Sequence, residues 1–371
     1  MAPVMLLRPR ILLALIALNA SVLAAQISPQ KVDSVPSDIA KWDLICFCVT
    51  SVNTPHFAVR ADTNGKILYL ARNGMTKTQL QRELGTPVLE SQLGLLRDWR
   101  LLKRDGDVYT SNIPILGPEK IDELRKQMEV LANEITSEIR PDLQTITADL
   151  QRRNLSESLY SVLFSYVLDG LSWDQLSSRK AIPSMEVTAD HPFWDGTFWA
   201  VYPKREAAPG TNSTGPHGIT LLMTWTDPVL QELNALQEAP DLSPALQRVA
   251  RGDCGHLEIE DKAHNKWNLG RSDGSCALPV IHEDASDPVY LAGTRIADRV
   301  AAAVLDHDLQ KSIGGGATVQ QAHLIETHEL IWEMLSVMSR QGIVQQPPVL
   351  GSRSADPVML LPLLVVTVQK Q

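Results

Sequence analysis

Residues 75–116 read MTKTQLQRELGTPVLESQLGLLRDWRLLKRDGDVYTSNIPIL, and this stretch decides how the N-terminal third of the chain is organised. Thr76 stands before a run that carries Leu80 and Leu84 four residues apart, with Gln79 three places after the threonine. That spacing is a capping box, in which each side chain takes the other residue's backbone N–H at a helix start. The helix predicted from it runs from Lys77 to Leu84 and stops at Gly85. Thr86 then caps a further helix, with Pro87 at the first helical position, where a missing N–H costs nothing. Leu89, Leu93, Leu96 and Trp99 or Arg100 follow at three- and four-residue steps and give one apolar stripe. Leu101–Lys103 and Val108–Thr110 flank Asp105-Gly106, a hairpin signal. Upstream, Gly65 to Asn73 (GKILYLARN) has helical spacing and ends at Gly74.

Three helices followed by a hairpin resemble the winged helix-turn-helix family of prokaryotic regulators over residues 62–116. The resemblance is carried by Thr76, Leu80, Leu84 and Gly85, by the leucines of the third helix, by Gly106 and by Tyr109 to Ser111. It implies a module that places its third helix in a DNA major groove or uses the same surface on a protein. Groove reading needs arginine, lysine or amide side chains, and phosphate contacts need a basic surface. Residues 66–110 hold eight basic and five acidic side chains, and the third helix offers Glu90, Ser91, Gln92 and Asp98 against Arg97 and Arg100. The charge balance favours a protein contact, with DNA binding as the alternative.

Beyond the module, Pro114 and Gly117-Pro118 break the chain. Ile121, Leu124, Met128, Leu131, Ile135 and Ile139 then mark a helix from Glu119 to about Arg140, interrupted by Pro141. A second helix is predicted from Leu143 to Leu168, ending at Asp169-Gly170. Together these form a helical connector (117–180), through whose residues 119–168 a homodimer could pair. From Ala181 short strand-like runs (Phe198 to Tyr202, Ile219 to Met223) alternate with turns, and Gly210 to Gly218 reads as a polar loop. Helices are predicted from Val289 to Leu309 and from Val319 to Arg340, on either side of a Gly314–Gly316 hinge. Val358 to Val368 reads as a buried strand, since Pro362 and its length argue against a membrane span. The fold class expected is α+β: a winged-helix module, a helical connector and a C-terminal mixed domain (181–371).

The first residues carry an address. Arg8 and Arg10 precede an apolar stretch from Ile11 to Leu18, and Val22-Leu23-Ala24 places small side chains where a signal peptidase inspects. A cleavable export signal over 1–24 is expected, with a linker and short strand (Leu44 to Val52) over 25–61 and no transmembrane span in the mature chain. Removing the signal leaves 32 basic and 43 acidic residues, a balance that repels polyphosphate. Cys46 and Cys48 flank Phe47, and a bridge across so short a loop is strained. Cys254 and Cys276 bracket a hairpin-like segment around Trp267 to Gly270 and form a candidate disulfide in an oxidising compartment.

No G-x-S-x-G elbow, P-loop or dinucleotide fingerprint occurs, and no cofactor or metal is expected. His323, Glu326, His328 and Glu329 lack the H-E-x-x-H spacing and read as a solvated helix face. His282-Glu283-Asp284 and Asp253 to Asp261 read as exposed charged loops, and His307-Asp308 as a helix C-terminus. The segment from His191 to Trp199 concentrates aromatics, and His191, Trp194, Asp195 and Trp199 are candidate ligand-binding residues. The same segment also reads as a folding core around a tight turn. The function expected is an exported, non-catalytic binding or sensing protein with a protein or small-ligand partner. A transcriptional regulator is the alternative, and an enzyme in the C-terminal domain a third class.

Overall fold

Gly74 and Gly85 both hold left-handed backbone, at φ 77° and 67°, and each stops a helix where an L side chain would be strained. The computed structural model describes residues 36, 42–47, 56–183, 198–205, 208–307, 313, 317–352 and 356–370. Within them the chain is an α+β protein with several small sheets. The expected signal segment lies outside the described residues. So do Cys48 and the Gly314–Gly316 hinge.

Strand β1 (Asp43–Phe47) precedes helices α1 (His56–Arg60) and α2 (Asn64–Leu70), the last tightening into a 3-10 turn before Gly74. Strand β2 (Met75–Thr76) leads into α3 (Lys77–Leu84) with the capping box formed. The Gln79 N–H donates to Thr76 Oγ1 at 3.3 Å and the Thr76 N–H to Gln79 Oε1 at 2.8 Å. Helix α4 (Glu90–Asp98) and the hairpin β3 (Leu102–Asp105) and β4 (Val108–Ser111) follow. Strand β2 adds to β4, giving an antiparallel sheet of order β2-β4-β3.

Helix α4 starts later than Thr86 and Pro87 predict. The backbone is still extended at Leu89 (φ −83°, ψ 147°), and the buried Gln92 does the capping. Its Oε1 accepts the Leu89 N–H at 2.9 Å while its Nε2 donates to Asp62 Oδ2 and Thr63 Oγ1. A tertiary anchor thus overrides the local helix-start signal. Leu89 leaves the stripe and is 54% exposed, whereas Leu93 and Leu96 are buried.

Helix α5 (Pro118–Glu138) buries every apolar position its spacing marks. Helix α6 (Arg140–Arg152) carries Pro141 in its first turn, where proline is tolerated. The continuous helix expected from Leu143 to Leu168 is broken instead at Asn154, which takes φ 57°. The chain resumes as α7 (Leu159–Ser161), a wide helix with i→i+5 bonding (Val162–Leu171), and α8 (Ser172–Ser178). Gly170 does not end it. A Cβ there would lie 3.1 Å from the Ser165 carbonyl oxygen, so glycine fits the crowded wide turn.

Strand β5 (Phe198–Tyr202) pairs antiparallel with β1, while Pro114 and Leu116 hydrogen-bond to Val201 of β5. The expected loop at Gly210–Gly218 contains strand β6 (Gly210–Thr214), antiparallel to β7 (Ile219–Trp225). Its polar sequence suits a sheet edge, which is where it lies. Helices α9 (Leu230–Gln237) and α10 (Leu242–Ala250), strands β8 (Glu258–Glu260), β9 (Lys266–Asn268) and β10 (Val280–Glu283), and helices α11 (Pro288–Asp306), α12 (Val319–Arg340) and α13 (Pro357–Leu360) come next. The last strand, β11 (Leu364–Gln369), enters the middle of a sheet of order β10-β11-β7-β6, parallel to β10 and antiparallel to β7. Covered on both faces, it reads as an unbroken apolar run.

One hydrophobic core joins the stripe of α5, the wide helix, α11, α12 and strands β7 and β11. Helix α12 covers the apolar stripe of α5. The ion pairs Arg125–Glu329 and Glu129–Arg340 ascend together along both helices, so the two run parallel. Cys254 and Cys276 are disulfide-bonded and enclose the β8–β9 hairpin. Its Trp267 is fully buried and donates through Nε1 to Asp261 at 2.9 Å. Asp261, expected on an exposed loop, is 3% exposed because it also receives the N–H groups of Ala263 and Asn265. No described helix is long and apolar enough to cross a membrane.

Candidate functional site

Of the aromatic segment, His191, Trp194 and Asp195 lie outside the described residues, and Trp199 is described only as backbone, opposite Cys46 in the β1–β5 pair. The strand that continues from this segment delivers Tyr202 to the interior, 1% exposed. There it meets α12.

The solvated face expected on α12 is not solvated. His323 and Glu333 are 8% exposed and Glu326 and Glu329 fully buried, because α5, α11 and the wide helix all pack on α12. Buried charge needs partners, and two arginines from distant segments supply them. Arg125 of α5 and Arg205, just past β5, each place Nε 2.8 Å from Glu329 Oε2. Arg205 also donates to Glu333 at 2.7 Å, and Arg125 to the Pro203 carbonyl at 3.0 Å. Burial alone would raise the Glu329 carboxyl; the His328 imidazole and the two guanidiniums outweigh it and hold Glu329 at about 2. Against the same burial, Glu329 and Glu333 push Arg205 above its ordinary value.

Glu326, one turn earlier, has the opposite environment. Neither of its oxygens has a hydrogen-bond partner among the described residues, and burial pushes its carboxyl up to about 8. It is a neutral acid at pH 7. His323 is satisfied through Nδ1 against the Ala181 carbonyl at 2.9 Å.

A second polar chain adjoins His328. The Tyr202 hydroxyl and His328 Nδ1 are 3.0 Å apart, and burial, reinforced by Glu329, drives the phenol well above its ordinary range. Trp332 meets the imidazole edge-on at 5.8 Å and stacks at a tilt on Phe164 at 5.2 Å. From the wide helix, Asp169 accepts the Trp173 indole N–H at 3.0 Å and has the Thr211 hydroxyl as a further partner. Burial raises the Asp169 carboxyl, partly offset by those hydrogen bonds and by His328. Thr211 continues to Ser165 at 3.0 Å and Ser165 to Thr224 at 2.6 Å. A wide helical turn often marks a functional site; here it supplies Ser165 and Asp169.

Chemically, two guanidiniums and two carboxylates neutralise one another and fix three segments, while the Tyr202–His328–Trp332 end is the partly open part, with His328 21% exposed at its side chain. It combines aromatic faces with a hydroxyl and an imidazole, the composition of a small-ligand contact. Among the described residues no three His, Cys, Asp or Glu side chains are placed to hold a metal ion. His282 and Glu283 belong to strand β10 rather than a loop, with Glu283 half-buried. His307 ends α11 as expected.

Arg125, Arg205, Tyr202 and Glu333 went unnoticed in the sequence. The signal that could have found them is on α12, where Glu326, Glu329 and Glu333 share the face of Ala322 and Leu330. Acids recurring on an apolar stripe either meet buried cations from elsewhere, as Glu329 and Glu333 do, or hold their proton, as Glu326 does. Compared with protein-family models, characterised proteins and solved structures, the chain matches none.

Proposed function

We propose that the chain is an exported, non-catalytic binding protein in which residues 62–116 form a winged-helix module that contacts a protein rather than DNA. The order α2-β2-α3-α4-β3-β4, with β2 added to the hairpin, supports the winged-helix reading. The observation that carries the choice of partner is the outward face of α4. Glu90, Ser91, Arg97 and Asp98 are exposed there, Leu89 is 54% exposed at its start, and Glu90 already holds Lys77 at 2.7 Å. Two acids and one arginine give phosphate little to bind. An exposed leucine beside charged residues suits a protein surface.

Export is supported by the Arg8–Ala24 pattern and agrees with the Cys254–Cys276 disulfide, which persists in oxidising compartments. The Arg125–Glu329–Arg205–Glu333 group serves as the internal brace that holds the Tyr202–His328–Trp332 end in place for a small ligand. Export and partner class are tested together by N-terminal sequencing of the mature protein and by titration with mixed-sequence duplex DNA. The expected result is a chain beginning near Ala25 outside the cytoplasm, with no salt-sensitive duplex binding. Intact Met1 on cytosolic protein that binds duplex would replace this reading with a transcriptional regulator.

A further inference from the structure

Helix α4 carries a glycine that nothing inside the chain explains. Gly94 lies mid-helix without a positive φ, and a Cβ there would meet no atom within 4 Å among the described residues. The glycines inside α2, the wide helix and α11 are different: a Cβ at Gly65, Gly170 or Gly293 would stand 3.3, 3.1 and 3.1 Å from a neighbour. Glycine destabilises a helix interior relative to alanine. On a solvent-facing turn its use is to let another chain come close.

The face around Gly94 is open and its charges are ordered. Gln92, Leu93 and Leu96 are buried on the side where α4 packs on α1 and β3, while Glu90, Ser91, Arg97 and Asp98 are exposed. At about 100° per residue, Glu90 and Arg97 project within about 20° of each other on one flank of Gly94, two turns and about 10 Å apart. Ser91 and Asp98 fall on the other flank. Lys77, which Glu90 holds at 2.7 Å, brings the face to two positive and two negative side chains, so two such faces do not repel as wholes. Each flank is also complementary to itself turned end for end. A two-fold axis keeps like flanks together and reverses their direction. Glu90 then meets Arg97 of the other copy, and Asp98 meets the Ser91 hydroxyl.

We propose that the partner of the module is a second copy of this chain, with the two α4 helices antiparallel about a two-fold axis beside Gly94. This rests on the reading of the module as a protein contact and names the protein. Exposed Leu89, at the start of each helix, adds apolar surface at both ends of the pair. A nine-residue helix covers less than the roughly 800 Å² per partner of a standard interface. The pair is therefore weak, with a dissociation constant on the order of 100 µM.

The test is sedimentation equilibrium of the full mature chain from about 10 µM to about 1 mM, with thermal melts of each variant. Glu90→Arg and Arg97→Glu are each expected to weaken self-association at least about tenfold. Mixed one to one, the two variants should associate again, because each supplies the charge that the other lacks. Gly94→Leu should also weaken the dimer at least about tenfold while melting no lower than the wild type, since leucine favours the helix and only the close approach is lost. A wild type that stays monomeric overturns the second copy as partner. Dimerisation untouched by the two charge variants overturns α4 as the surface, and variants that fail to associate when mixed overturn the two-fold pairing. Mixed-sequence duplex DNA separates the two readings: a monomer that ignores duplex leaves the module to an unlike protein, and a monomer that binds it overturns the protein contact as well.

Discussion

Arg205 and Glu329, 124 residues apart in sequence, meet with Nη2 2.6 Å from a carboxylate oxygen that solvent does not reach. Arg125 binds the same oxygen, so one buried carboxylate answers for two guanidiniums. Glu329→Gln removes that charge and leaves both cations against a neutral amide. Breaking a buried ion pair from one side costs about 3–5 kcal/mol. The expected outcome is a loss of that size in urea unfolding, larger than for Glu333→Gln, which still leaves Glu329 to compensate Arg205.

Glu329 and Glu326 pull stability in opposite directions with pH. Glu329 sits at about 2 in the folded chain against 4.5 unfolded. Its contribution is complete above pH 4.5 and is lost as pH falls toward 2. Glu326 sits at about 8 against 4.5. The folded state then holds the proton that the unfolded chain gives up, so stability falls as pH rises from 4.5 to 8. At about 1.4 kcal/mol per unit, that loss is of order 5 kcal/mol at most. Glu326→Gln should flatten the upper limb, exceeding the wild type in urea midpoint at pH 8 while matching it near pH 5. Parallel curves for the two proteins across that range would show that Glu326 is ionised in the fold.

The sequence told local structure well and buried charge badly. Thr76, Gln79 and Gly85 act within one helical turn, so their capping roles could be read directly, as could the stripe of α5 and the bounds of α12. The wide helix could not, because its turn depends on what packs around it, and Leu143 to Leu168 looked like one ordinary helix. Polar β6 looked like a loop because an edge strand need not alternate. Glu329 of α12 looked solvated because its partners, Arg125 and Arg205, lie more than a hundred residues away. A single side chain's polarity says nothing of a cation that distant.

The Cys254–Cys276 bond closes a loop of sequence separation 22, worth about 3 kcal/mol by chain entropy. Cys254→Ser with Cys276→Ser should lower the urea midpoint accordingly, and reduction of the wild type should lower it alike. Gly270 supplies a sharper test within the same loop. A Cβ at this position would fall 1.5 Å from the Cys254 carbonyl oxygen and 3.2 Å from the Leu257 N. Backbone cannot yield by that much, so Gly270→Ala should destabilise more than loss of the disulfide, seen as increased protease cleavage between residues 254 and 276.

Gln92 offers the clearest view of how the N-terminal module holds together. Its side chain accepts the Leu89 N–H at 2.9 Å and donates to Asp62 at 2.9 Å and Thr63 at 3.1 Å. It therefore caps α4 and ties it to the start of α2 at once. Thr76→Ala, at an exposed cap, should cost about 1 kcal/mol. Gln92→Ala leaves a buried N–H and a carboxylate short of partners and should cost more, about 2–3 kcal/mol. Gln92→Glu separates size from chemistry, because the acid keeps the bond to Leu89 but sets a carboxylate against Asp62. It should be less stable at pH 7 than at pH 4, opposite in sign to the Glu329 effect. Hydrogen exchange at the amides of α4 reads the outcome locally, and unchanged protection in Gln92→Glu at pH 7 would mean that Asp62 and residue 92 do not interact in solution.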